Sequence, residues 1–299
     1  MSFETMPPLT ASATFATILP VGHSIVTTRT GGPTQLRTNS GEDWGRGTRH
    51  AVSLRACKPN RLDHLAADRY RVKVNVVAII PALNEEGSIG QVVAAVPRDV
   101  VSQVIVVDNG STDRTAEVAR AAGAVVVPQP ERGYGAACHA GLMASAGADL
   151  LVFLDGDRSD VPEETPLILG PIFTQQADLV IGSRLAGRRE PGAMPPHAMF
   201  GNWLASKVLG TLYRVQITDL GSFRAIHRKA LIELGMQERT FGWPVEMIAK
   251  AARRGYRIVE VPVSYRRRIG RSKVAGTVKG SLLAAYYIFA TAFRYARWN

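Results

Sequence analysis

Between Val74 and Ile181 one pattern recurs: a short apolar run, a polar turn, then an amphipathic stretch of about ten residues. The runs are Val74-Asn-Val-Val-Ala-Ile-Ile80, Val104-Ile-Val-Val107, Ala124-Val-Val-Val127, Leu150-Leu-Val-Phe-Leu154 and Leu179-Val-Ile181. Each is rich in Val, Ile or Leu and nearly free of charge, as expected of strands buried on both faces of a parallel sheet. Between them, Asn84-Glu85-Glu86 opens a helix with the stripe Ile89, Val92, Val93 and Val96. Thr115 to Ala122 and Tyr134 to Ser145 read as two further helices. Strands alternating with helices predict an α/β chain with a Rossmann-like, mostly parallel sheet and helices on both faces.

The pattern bounds the domain. Residues 1–70 contain 26 Gly, Pro, Ser or Thr and hold no period of 2 or 3.6, so they read as a low-complexity, disordered extension. Residues 71–281 form the expected α/β domain, and residues 282–299 a C-terminal amphipathic helix. Within the domain the alternation weakens after Gly182. Arg184 to Pro196 reads as a loop, helices follow over Met199 to Leu212 and Val245 to Arg254, and Arg257 to Val261 reads as a strand. A final helix starts near Val278. Only Cys57 and Cys138 occur, which excludes a disulfide framework and a four-cysteine zinc site and suits a reducing cytosol. The Met1 end shows no secretory pattern, and no apolar run approaches the roughly 20 residues of a membrane span.

Charge is unevenly distributed. The chain carries a formal +11, and from Lys250 onward 12 Lys and Arg face the single acid Glu260, so the whole excess lies there. Such an end suits a polyanionic partner: phosphate groups, an anionic membrane surface or nucleic acid. Arg266, Arg267, Arg268, Arg271 and Lys273 cluster around Gly270, as a phosphate clamp would require. The following helix mixes Tyr286, Tyr287, Phe289, Phe293 and Trp298 with Lys279, Arg294 and Arg297, which fits a membrane interface; core packing or a dimer contact is the alternative. Nucleic acid is disfavoured, because the cluster lacks interleaved aromatics and a recognisable binding motif.

The chemistry concentrates where strands end. Asp155-Gly156-Asp157 follows the fourth run directly, where ligands of open α/β sheets bind. Two carboxylates at i and i+2 across a glycine offer hard oxygens to Mg²⁺ or Mn²⁺, with a solvated, helix-capping turn as the alternative. Asp108-Asn-Gly-Ser111-Thr-Asp113 follows the second run and can bond a base or ribose, or simply cap a helix. Gly133-Tyr-Gly135 invites a dinucleotide reading that fails: Cys138 stands where the third glycine belongs, and the preceding strand is the third.

These residues resemble the family 2 glycosyltransferases of GT-A fold, close to the polyprenyl- and dolichyl-phosphate sugar synthases. The matching blocks are Ile80-Pro81-Ala-Leu-Asn84-Glu85, Val107 to Asp113, Gly133-Tyr-Gly135, Asp155-Gly-Asp157, Gly182-Ser183-Arg184 and Asp219-Leu-Gly221-Ser-Phe223-Arg224. The resemblance covers about Val74 to Ser281. It implies an inverting, metal-dependent transfer from a nucleoside-diphosphate sugar, of UDP-glucose or GDP-mannose type, to a polyprenyl phosphate. A soluble phosphorylated or hydroxyl acceptor is the alternative.

By the same resemblance Pro81, Asn84, Glu85 and Asp108 would line the base and ribose pocket. Ser111, Asp113, Gly133, Gly135 and Gly156 belong to the matching donor-side blocks. Asp155 and Asp157 would hold the metal, Mg²⁺ or Mn²⁺, and Arg184 would contact a phosphate. From their charge, Arg266, Arg268, Arg271 and Lys273 would clamp phosphates. A hydroxyl acceptor would need a carboxylate base, for which Asp219 and Glu246 are the candidates, with a plain helix-surface carboxylate as the alternative for Glu246. Asn109 stands where relatives often have a second Asp, and Arg158-Ser159-Asp160 where many have Leu-Gln, which leaves the third metal ligand unassigned. The expected partners are a nucleotide-sugar donor, a lipid-phosphate acceptor and an anionic membrane touched peripherally from the cytoplasmic side, with homo-oligomer formation left open.

Overall fold

The computed structural model describes residues 74–270 and 278–296. The expected extension over 1–70 therefore lies outside the described residues, as do Arg271 and Lys273. Seven strands form one sheet: β1 (Val76–Ala82), β2 (Gln103–Asp108), β3 (Val125–Pro128), β4 (Leu150–Phe153), β5 (Leu179–Ser183), β6 (Arg224–His227) and β7 (Ile258–Pro262). Their order is β3-β2-β1-β4-β6-β5-β7. β3, β2, β1 and β4 run parallel, β5 and β7 run parallel, and β6 is antiparallel to both its neighbours β4 and β5.

The helices are α1 (Ile89–Ala95), α2 (Thr115–Ala121), α3 (Tyr134–Ala144), α4 (Thr165–Phe173), α5 (Pro196–Tyr213), α6 (Arg228–Leu234), α7 (Trp243–Arg253) and α8 (Val278–Ala296). Because side chains alternate along a strand, β1 feeds two cores at once. Val77 and Ile79 join Ile105, Val107, Leu151 and Phe153 under α3, α5, α6, α7 and α8. Val76, Ala78 and Ile80 join Val104, Val106, Leu150 and Val152 under α1, α2 and α4. Burial on both faces explains why these strands carry no polar alternation.

β1 is flanked by β2 on one side and β4 on the other, so the chain leaves it in opposite directions. That reversal opens a crevice beyond the carboxyl ends of β1 and β4, the position where open α/β sheets bind ligands. The loops after β1, β2 and β4 converge there.

One local expectation is corrected. The first helix does not open at Asn84: that residue is left-handed (φ 53°), and α1 begins at Ile89 after a turn. Asn84 holds that conformation because its backbone N–H bonds Ser111 Oγ (2.9 Å) and its Oδ1 accepts the Thr112 N–H (2.8 Å). β6 is a strand the sequence pattern did not mark. Its four residues, Arg-Ala-Ile-His, carry no periodic signal, and their pairing with β4 and β5 is entirely non-local.

Gly141 in α3 lets that helix lie directly on the sheet, since a Cβ there would collide with Ile79 of β1 and press Val107 of β2. Overpacking by Gly141→Ala costs about 3 kcal/mol and the helix preference for alanine returns only about 1 kcal/mol, so the domain is destabilised. Urea unfolding measures this; an unchanged or raised midpoint contradicts the packing described.

Candidate functional site

The crevice holds a cavity of about 590 Å³ with two unlike walls. One is polar: Glu85, Asn109, Arg132, Asp155, Asp157, Arg184, Ser222 and Arg268. The other is apolar: Leu220, Phe241, Pro244, Leu283, Tyr287 and Ile288. Pro81, Gly133 and Gly156 also line it.

The acids after β4 sit in a tight turn. Asp157 is only 2 % exposed; its Oδ1 accepts the Ser159 N–H (2.9 Å) and its Oδ2 pairs with the Arg268 guanidinium. Asp155 is tied to Asp160, whose Oδ2 accepts the Asp155 N–H (2.9 Å). The Ser222 hydroxyl lies between the two carboxylates, 2.8 Å from Asp155 Oδ2 and 3.2 Å from Asp160 Oδ2. Asp160 Oδ1 is buried without a hydrogen-bond partner. Burial, reinforced by the Asp155 charge, pushes the Asp160 carboxyl well above the ordinary carboxylate range. Oxygen donors packed this closely, one of them orphaned, fit a hard divalent cation. Among the described residues no group of three or more His, Cys, Asp or Glu side chains could hold a metal. A dication here would need further ligands, the usual situation of Mg²⁺ completed by substrate phosphates and water.

Arg184, at the end of β5, forks onto Asp219 through Nε (2.8 Å) and Nη2 (2.7 Å), and its guanidinium stands 5.1 Å from the centre of the Tyr265 ring. Asp219 is fully buried and also accepts the Arg184 N–H (2.7 Å) and the Asn202 amide (2.6 Å). Burial alone would raise its carboxyl, but the Arg184 charge and hydrogen bonds outweigh it and hold Asp219 below the ordinary range. An acid so held orients Arg184 and is a poor proton acceptor.

Glu246 departs further from expectation. It is 0 % exposed and does not line the cavity. Its oxygens accept the N–H groups of Gln237 (2.8 Å) and Glu238 (2.7 Å) and the Tyr295 hydroxyl (2.7 Å), and pair with Lys250 (2.7 Å). This network joins α7 to α8. The expected general-base role of Asp219 and Glu246 is corrected accordingly: both carboxylates are saturated by donors, one positioning an arginine and the other a helix.

The remaining expected residues divide into lining and bracing. Asp108 accepts the Ser111 N–H (2.9 Å), and Asp113 accepts from Glu86 N–H (3.2 Å) and Thr115 N–H (3.0 Å). With Asn84 they lash the turn after β1 to the turn after β2, and none of the four lines the cavity. Asn109 does line it. Its amide donates to the carbonyls of Gln129 (3.0 Å) and Glu131 (2.6 Å), and its Oδ1 accepts the Gly133 N–H (2.8 Å). An aspartate could not donate those two bonds, which accounts for the amide at this position. Gly133 (φ 149°) and Gly135 are glycines because the backbone of Glu238 and Arg239 occupies the space a Cβ would need. Gly135 therefore seats α3 against that segment and does not face the cavity. Arg266 lies outside the cavity lining, paired loosely with Glu163 (3.8 Å), whereas Arg268 lines it.

Sequence reasoning missed Ser222 as a bridge between acids, Arg132 beside the donor-side loop and the whole apolar wall. The Asp219 to Arg224 block contained the signal for Ser222; nothing local in the sequence brings Phe241 or Ile288 to this place.

The sequence model for glycosyl transferase family 2 matches residues 77–235. An uncharacterized glycosyltransferase of Mycobacterium tuberculosis is 40% identical over 213 residues, covering 70% of this chain and 94% of that protein. The undecaprenyl-phosphate mannosyltransferase of Micrococcus luteus is 32% identical over 247 residues, 76% of this chain and 97% of its own length. In fold, the chain is similar to glucosyl-3-phosphoglycerate synthase from M. tuberculosis, solved with Mn²⁺, UDP and phosphoglyceric acid. The TM-score is 0.63 at 23% identity, over 75% of this chain and 79% of that one. The sheet and its crevice are thus those of a GT-A fold.

Glu246→Gln tests the structural reading of that carboxylate. Lys250 loses the carboxylate it pairs with while still buried, so stability falls by about 3 kcal/mol, while transfer per folded molecule is retained. A loss of about 100-fold or more in kcat, the size expected of a missing general base, contradicts it.

Proposed function

The chain belongs to glycosyl transferase family 2, and on that premise we propose that it moves a hexose from a nucleoside-diphosphate sugar to a polyprenyl phosphate, with inversion, at a membrane surface. The observation that carries this reading is the pairing of walls in one cavity. Acids and arginines suited to a diphosphate donor line the same cavity as Leu283, Tyr287 and Ile288 of α8, which offer a hydrocarbon-compatible surface. A phosphate ester with an isoprenoid chain uses both; a small phosphorylated acid has no use for the second.

Asp155 and Asp157 are the residues that would hold a divalent cation, Mg²⁺ or Mn²⁺. Such a cation, when bound, offsets the negative charge that builds on the departing diphosphate. The chain's own groups do the rest. Glu85 and Asn109 line the donor side of the cavity. Arg184, held rigid by Asp219 and stacked on Tyr265, presents a fixed cation to the acceptor or donor phosphate. A phosphate acceptor is already an anion at neutral pH, so its oxygen attacks the anomeric carbon without a strong base. That requirement agrees with the saturated state of Asp219 and Glu246.

The surface next to the apolar wall supports the lipid reading. α5 packs against α8. Phe200, Trp203 and Leu204 of α5, with Leu283, Tyr286 and Phe293 of α8, are exposed, and Leu283 belongs to both surface and cavity. Aromatic and apolar side chains beside a basic stretch suit the interfacial region of an anionic bilayer. No helix among the described residues is long and apolar enough to cross a membrane, and the proposed attachment is peripheral, on the cytoplasmic side.

Two measurements on the full chain test the reading together: co-sedimentation with phosphatidylglycerol vesicles, and sugar transfer from UDP-glucose and GDP-mannose to farnesyl phosphate or to 3-phosphoglycerate. The expected result is vesicle binding that weakens with salt, since each cation near the surface contributes about 1 kcal/mol within a Debye length of about 10 Å, and transfer to the lipid phosphate. Transfer to 3-phosphoglycerate alone, with no vesicle binding at low salt, overturns it in favour of a soluble acceptor.

A further inference from the structure

Arg268 stands where the cation-binding acid needs a partner. The segment that carries it, after β7, lies antiparallel along the turn after β4. Asp160 and Tyr265 form a β-bridge, Arg266 N–H bonds the Ser159 carbonyl (2.8 Å), and Ile269 N–H bonds the Asp157 carbonyl (2.9 Å). These backbone bonds fix the origin of the Arg268 side chain, so its ion pair with Asp157 follows from the strand-like register. Arg267 N–H on Glu190 (2.7 Å) holds the same segment from its outer side. The Arg268 side chain remains about one-third exposed and lines the cavity, whereas Asp157 is almost wholly buried.

The other arginines of the cavity are engaged elsewhere. Arg184 is forked onto Asp219, and Arg132 donates to the Gly110 carbonyl (2.9 Å). Among the described residues lining the cavity, Arg268 is the cation paired with an acid of the Asp155-Gly-Asp157 turn.

A carboxylate as buried as Asp157 is costly without a counter-charge. A guanidinium and a dication cannot both sit on the same carboxylate oxygen without strong repulsion. The donor's diphosphate supplies a second home for the guanidinium, because its oxygens match the arginine fork.

We propose that Arg268 is an internal counter-ion of Asp157 which a divalent cation displaces, and which then binds the donor's diphosphate, so that metal and nucleotide load as a coupled pair. The inference rests on the assignment of Asp155 and Asp157 as metal-holding residues. It makes Arg268 a positioning and ordering residue. Without nucleotide, Arg268 competes with the metal. With nucleotide, the released guanidinium reinforces the same complex. By linkage, each ligand raises the affinity of the other by the same factor.

The test reads binding rather than turnover. Free Mn²⁺ is followed by electron paramagnetic resonance during titration of the full chain, with no nucleotide and then with saturating UDP or GDP, for wild type, Arg268→Gln, Arg268→Lys and Asp157→Asn. Arg268→Gln is expected to bind Mn²⁺ without nucleotide about tenfold tighter than wild type, a change of about 1.4 kcal/mol. It should also bind the nucleotide in saturating Mn²⁺ about tenfold more weakly, with Arg268→Lys between the two. A folding lesion would weaken both, so opposite signs are the signature. Mn²⁺ affinity that is unchanged or weaker in both Arg268 variants overturns the counter-ion role while leaving the metal site standing, provided Asp157→Asn loses the metal. Mn²⁺ binding by Asp157→Asn equal to wild type, or no Mn²⁺ binding by wild type with either nucleotide, removes the metal assignment and the proposal with it.

Discussion

Negative charge buried at the end of a central strand governs this molecule. β4 delivers Asp155 and Asp157 into a crevice walled by sheet and helices, and the turn adds Asp160. Several carboxylates in so small a volume repel one another and lose their hydration, so each needs a donor or a cation. The surrounding structure supplies them one by one. Ser222 bridges Asp155 and Asp160, Ser159 N–H and Arg268 serve Asp157, and Arg184 serves Asp219 a short way along the cleft. The segment after β7 exists in its strand-like register because Asp157 and Ser159 carbonyls accept its N–H groups. The site is a set of acids whose compensation is largely intramolecular.

The second half of the cavity depends on where α8 is seated. Glu246 and Lys250 of α7 are buried against Tyr295 of α8, Arg294 pairs with Glu238 (2.6 Å), and Tyr213 at the end of α5 donates to the Ala292 carbonyl. The segment reached by this network, Glu238 and Arg239, is the one that occupies the space beside Gly133 and Gly135, and its Arg239 carbonyl accepts the Ala136 N–H (2.9 Å). One polar cluster thus ties α8, which lines the cavity, to the glycine loop that lines it through Gly133. Buried charge of this kind contributes little net stability compared with a well-packed apolar core, but it fixes where α8 is seated.

How much of this was legible in the sequence follows from the range of each interaction. The strands β1, β2 and β4 and the acids behind β4 announced themselves, because burial on both faces and the turn chemistry are local. β6 was silent: Arg224 to His227 is four residues long, and its strand character comes from filling the gap between β4 and β5. Asn84 looked like the start of a helix because its left-handed turn is enforced by Ser111 and Thr112, 27 and 28 residues away. Glu246 looked catalytic for the same reason in reverse. Lys250, four residues on, is a local sign of an ion pair, but nothing nearby in the sequence shows that Tyr295 and two backbone N–H groups complete the saturation of Glu246. The apolar wall needed Leu220, Phe241 and Ile288 to meet from distant segments, and only the fold brings them together.

The central claim is that the acids after β4 serve a dication shared with the diphosphate of a nucleotide sugar. Isothermal titration of the full chain with UDP-glucose and GDP-mannose, in Mn²⁺ and then in EDTA, tests it most directly. The account predicts heat and saturation with one of these donors in Mn²⁺, and loss of that binding in EDTA. Donor binding of equal affinity in EDTA would contradict it.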